Sequence, residues 1–108
     1  MMIKIKTQPK ERMRYKTLGD WIINGEQIII YVSEMGDWKY EMLVALHELV
    51  EVLLCKDKAI SQKSVDEFDM NFKGQGEPGD DLKAPYHEQH KQAEFIEKQL
   101  ALFLNIDW

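Results

Sequence analysis

Three histidines stand among carboxylates at helical spacing in this chain. His47, Glu48 and Glu51 fall within the stretch His47-Glu48-Leu49-Val50-Glu51, His87 and His90 are three apart, and Asp69 lies between the two groups. At about 100° per residue, Glu51 sits about 40° and Glu48 about 100° round from His47, so the three share one helical sector with Tyr40, Val44 and Leu54. The rest of the segment Tyr40 to Cys55 is apolar round most of its circumference, as in a helix buried on several sides. Imidazoles and carboxylates in such a setting cost roughly several kcal/mol unless they are paired or hold a metal. Two readings stay open: a narrow polar stripe facing water, or a shared ion. His and Glu at i and i+4 can both point at one cation about 2 Å away.

Further along, Asp69 falls about 40° from Val65 and about 60° from Phe72, within an apolar stripe. Tyr86, His90, Ala93, Glu97, Leu100 and Leu104 form another stripe, with His87 and Glu94 on its border. Two histidines one turn apart can clasp a transition metal. The candidate ligands are therefore His47, Glu51 and one or both of His87 and His90, with Asp69 as a further ligand or as an acceptor behind one. This mixture of imidazole and carboxylate suits zinc first, with iron or manganese as alternatives. A lone Cys55 excludes an internal disulfide and a thiolate cage.

The elements that must position these residues are legible in outline. Ile3 and Ile5 alternate with Lys4 and Lys6, which predicts a lysine-protected edge strand. Trp21 to Val32 reads as two strands around Asn24-Gly25, with both turn residues at positive φ. A helix then opens at Gly36-Asp37, capped by Asp37, and runs to about Cys55. A second begins at Ser61 or Ser64, where Ser64 and Glu67 have capping-box form, and ends at Gly74. A third, with Pro85 in its first turn, reaches about Leu104. The stretch Gly74 to Lys83 reads as a connector. Strands followed by helices predict an α+β fold: one domain over residues 1–108, with a small antiparallel sheet in 1–35 packed against three helices in 36–104.

The 108 residues hold 14 Lys and Arg against 19 Asp and Glu, with a net charge of −5. Six bases in residues 1–16 (Lys4, Lys6, Lys10, Arg12, Arg14, Lys16) stand against Glu11 alone, so the remainder carries −10. An acidic body argues against a phosphate-tracking nucleic-acid surface. The longest apolar runs, Met42 to Leu46 among them, are far below the ~20 residues that span a bilayer, and the opening residues have no apolar signal core. A cytoplasmic protein without a membrane segment is the expectation. A protein partner docking on Trp38 or Trp108 is the non-enzymatic alternative, with His and carboxylate groups serving only to fix packing.

His47-Glu48-Leu49-Val50-Glu51, on a helix after a sheet, resembles the zinc-binding helix of zincin metallopeptidases, whose motif is His-Glu-x-x-His. The resemblance covers about a fifth of the chain and implies that His47 is a zinc ligand. It further implies that Glu48 is the catalytic general base, activating water for attack on a carbonyl. Glu51 stands where the motif has its second histidine, and His87 or His90 would supply the downstream ligand. Glu48-x-x-Glu51 with Asp66-x-x-Asp69 is similar, more weakly, to the magnesium-binding pairs of MazG-like nucleotide pyrophosphohydrolases, an all-helical family. A metal-dependent hydrolase, its substrate unspecified, is the function these resemblances imply.

Overall fold

A β-hairpin supplies the floor of the molecule. In the computed structural model, which describes residues 1–108, β2 (Gly19–Asn24) pairs antiparallel with β3 (Gln27–Ser33), and β1 (Met2–Gln8) adds to the other side of β3. Three helices follow: α1 (Trp38–Asp57), α2 (Gln62–Asn71) and α3 (His87–Phe103). The fold is α+β, as the order of patterns predicts. Period-two alternation along β3 drives Ile28, Ile30 and Val32 inward, each at most 2% exposed. Full burial of such a side chain contributes roughly 1.5–3 kcal/mol.

The sheet is mixed, not purely antiparallel as expected, because β1 runs parallel to β3. The connector from Pro9 to Leu18, with a 3-10 turn at Lys10–Arg12, carries the chain across β3 before the hairpin begins. Ten residues easily span the roughly 10 Å between strands two places apart. Residues Met2 to Thr7 are exposed, so β1 is the lysine-bearing edge that its sequence suggests. The hairpin register differs by one residue from expectation. Asn24 pairs with Gln27, leaving Gly25 and Glu26 as the loop, and of Asn24 and Gly25 only Gly25 has positive φ, at 62°. Glycine at the first loop position is the requirement of a type II′ turn.

Asp37 caps α1 by accepting from the Lys39 N–H at 2.8 Å. Ser61, not Ser64, caps α2, and the helix stops at Asn71, three residues before Gly74. Pro85 lies in the turn Ala84-Pro85-Tyr86 before α3 and not in the helix's first turn as expected, because the His87 N–H bonds back to the Ala84 carbonyl and the helix begins only at His87. α1 lies between the β2–β3 face and α3, so its apolar circumference is spent on two partners at once. Trp21, Ile30, Val44, Ala45, Val52 and Cys55 meet in the shared core. Burial pushes the Cys55 thiol up to about 12, which removes it as a nucleophile near neutral pH. No helix is long and apolar enough to cross a membrane.

Candidate metal centre

The polar sector of α1 faces inward. His47, Glu48 and Glu51 are 7%, 9% and 4% exposed; His47 and Glu51 meet the face of α3 that carries His90 (4%) and Glu97 (8%), while Glu48 packs against Gly19 of β2. His47 Nε2 and His90 Nδ1 each lie 3.1 Å from Glu51 Oε2 and 3.2 Å from one another. These three donor atoms form a nearly equilateral triangle. An ion bonded at ~2.0–2.1 Å separates its donors by about 3.3 Å in tetrahedral and about 2.9 Å in octahedral geometry. The observed edges fall between these values. His47, Glu51 and His90 are thus a buried group able to hold a metal ion.

The far atom of each α1 ligand is already engaged. His47 Nδ1 lies 2.5 Å from Glu97 Oε1, so an N–H there leaves the Nε2 lone pair turned into the triangle. Glu97 in turn accepts from the Trp108 indole N–H. Trp21 Nε1 donates to Glu51 Oε1 at 3.0 Å, which leaves Oε2 to face the histidines. Two indoles from distant parts of the chain therefore orient two carboxylates around the centre. Glu97 is the partner that spacing alone did not nominate. Its signal was present all the same, since it occupies the apolar stripe of α3 two turns beyond His90.

Other candidates are placed differently. Asp69 does not join the triangle but accepts from Tyr15 at 3.0 Å and from the Tyr86 hydroxyl. Burial pushes its carboxyl up to about 6 despite those donors. His87 also stands apart, its Nδ1 2.9 Å from the Gly79 carbonyl. Asp66 is held by Arg14, which grips Asp20 through Nε and Nη2 and Asp66 through Nη1 and Nη2, at 2.7–3.0 Å. Trp38 and Trp108 are 62% and 42% exposed, whereas Trp21 is in the core.

The stretch Gly74 to Lys83 is more than a connector. Its 3-10 turn at Pro78–Asp80 packs against α3, and a side chain at Gly79 would collide with the His90 ring, 2.4 Å from where its Cβ would stand. Glycine here permits the close approach that covers His90. Gly19 does the same on the other wall, where a Cβ would meet Glu48 Cγ and Val44 Cγ1 at 2.7 Å. Between these walls opens a cleft of about 960 Å³, lined by Tyr15, Trp21, His47, Glu48, Glu51 and His90 among others.

Without an ion, protons supply the missing positive charge. Burial opposes the His47 cation, but its bonds to Glu51 and Glu97 prevail and push its pKa up to about 11. For His90, burial is likewise outweighed by Glu51 and Glu77, giving about 10. Burial also opposes the Glu51 anion, yet the two histidines bring it down to about 2. Glu48 goes the other way: burial, then repulsion from Glu51, raise its carboxyl well above the usual range. Raised histidine values contribute stability that is complete below about pH 6.5 and lost as pH climbs through 10 to 11, while the lowered Glu51 contributes above about pH 4.5 and fades toward pH 2. Denaturant midpoints of metal-free protein are accordingly expected to peak between pH 5 and 6.5 and to fall toward pH 10. An unchanged midpoint across pH 7–10 would contradict this proton-filled state.

Comparison with protein-family models, with curated proteins and with solved structures gives no match to this chain.

Proposed function

We propose that this chain is a zinc-dependent hydrolase whose resident ion is held by His47, Glu51 and His90, with Glu48 as general base. The observation that supports this reading is the donor triangle with its outer atoms fixed by Glu97 and Trp21. Two imidazoles and one carboxylate make a donor set that suits zinc, and three protein ligands leave a position for water or substrate. The ion would supply Lewis acidity toward a substrate carbonyl or phosphoryl oxygen and would favour ionisation of water. Glu48 lines the same cleft with Oε2 4.0 Å from His47 Nε2, and in this role it would take a proton from attacking water and return it to the leaving group. The zincin-like order of His47 and Glu48 on α1 agrees with these roles.

A magnesium-dependent pyrophosphohydrolase of MazG type is less favoured. Its second carboxylate pair would be Asp66 and Asp69, which here serve Arg14 and two tyrosines. Magnesium also prefers oxygen to the two nitrogens of this triangle. A protein-docking role has separate support in Phe95, Leu102 and Phe103, which expose 65%, 68% and 83% of their surface on α3.

The direct test is the metal content of protein purified without an affinity tag, before and after dialysis against zinc. Near one equivalent of tightly held zinc is expected, with a raised melting temperature. Less than a tenth of an equivalent, with no stabilisation on adding zinc, would reject the centre.

A further inference from the structure

The second nitrogen of His90 has no role in the centre just described. Nε2 is buried and has no hydrogen-bond partner, in a side chain only 5% exposed. It is nevertheless surrounded by acid. Glu77 Oε2 stands 3.1 Å away, Asp80 Oδ1 3.2 Å and Glu94 Oε2 3.9 Å. One donor atom from each of Glu77, Asp80, His90 and Glu94 lies within 4.8 Å of all the others. Oxygens that share a cation with a ring nitrogen stand about 3.3 Å from it and roughly 40° off its axis, where a straight N–H bond is not formed. Two oxygens near that distance, with no hydrogen bond to Nε2, match this arrangement.

We infer that Glu77, Asp80, Glu94 and His90 Nε2 form a second divalent-cation site, joined to the inner centre through the His90 ring. Three carboxylates and one imidazole make this outer set harder than the inner one, suiting manganese or a similar oxygen-preferring ion. With both sites filled, each ring nitrogen of His90 would face one ion. Lys91 Nζ, 3.1 Å from Asp80 Oδ1, partly neutralises the outer set and is exposed enough to swing into water when a cation arrives. The site also gives the Pro78–Asp80 turn a reason to lie on α3, because Glu77 precedes that turn, Asp80 ends it and Glu94 rises from the helix beneath it. The bridging part rests on the inner centre proposed above, whereas the outer ligand set does not.

Protein with its zinc content measured is titrated with Mn²⁺, and free Mn²⁺ is followed by electron paramagnetic resonance. Wild type is expected to bind one Mn²⁺, and the Glu77→Gln, Asp80→Asn double variant to bind it at least tenfold more weakly while keeping its zinc. The two substituted side chains are 63% and 44% exposed, so the variant is expected to retain the fold. Absence of Mn²⁺ binding by wild type, or equal binding by the double variant, would overturn the inference. Zinc below a tenth of an equivalent would instead remove the inner centre and the bridge, and titration of that same protein still decides the outer set.

Discussion

Zinc is expected to lose its stabilising effect on the fold when His47 is replaced by alanine. A ligand present at a thousand times its Kd adds about 4.1 kcal/mol to the stability of a protein that binds it only when folded. In a domain of about 100 residues each kcal/mol moves Tm by about 4 °C, so wild type should melt about 15 °C higher with zinc than with chelator. His47 contributes one corner of the donor triangle and is the only link between Glu51 and Glu97. Its removal takes one partner from each of two buried carboxylates, leaving Glu51 with Trp21 and His90 and Glu97 with Trp108, so the metal-free variant itself should be less stable by about 1–3 kcal/mol. Should that loss prevent folding, His90→Gln removes a different corner and is read in the same way. Calorimetry of each variant with zinc and with chelator separates the two effects. A zinc-induced shift equal to that of wild type in both variants would show that zinc binds elsewhere.

The second large effect is on turnover. Glu48→Gln keeps the shape of the side chain but removes its capacity to take up a proton. Hydrolysis should fall by roughly 10²–10⁴, the usual contribution of a positioned general base, with zinc content unchanged. Assays on an unstructured peptide and on a nucleoside triphosphate, each with zinc and with magnesium, would assign the substrate class together with the role. Activity unaffected by the substitution would remove Glu48 from the chemistry. Loss of zinc together with activity would make it a ligand instead of a base.

How much of this was legible in the sequence follows from the range of the forces involved. The α+β order, the Asp37 cap and the buried character of α1 are set by local pattern, and they were readable. The inward placement of His47 and Glu51 was suggested by their sector on an otherwise apolar helix, but spacing could not decide whether that sector faced water or α3. The direction of β1 was not readable, because it depends on a ten-residue crossover with no periodicity. Of the pair on α3, His90 reaches the centre and His87 does not. One turn of helix separates them, and the choice is made by the rotation of α3 against α1, a property of packing. Asp69 lies in the apolar stripe that its spacing predicts but is only half-buried, and Tyr15 and Tyr86 claim it across 54 and 17 residues of chain. Arg14 shows the same limit. Its pairing with Asp20 and Asp66 joins the connector, β2 and α2, three segments with no common sequence signal.

The positions of the tryptophans have an optical consequence. Trp21 and Trp108 each donate to a carboxylate tied to His47, whereas Trp38 lies out on the surface. Two of the three indoles therefore experience any change of charge between α1 and α3 directly, and the third supplies a steady background. Intrinsic emission should shift as the ion enters and return when it is withdrawn, so occupancy can be followed without a label, and Trp21→Phe and Trp108→Phe would divide the signal between the two sides of the cleft.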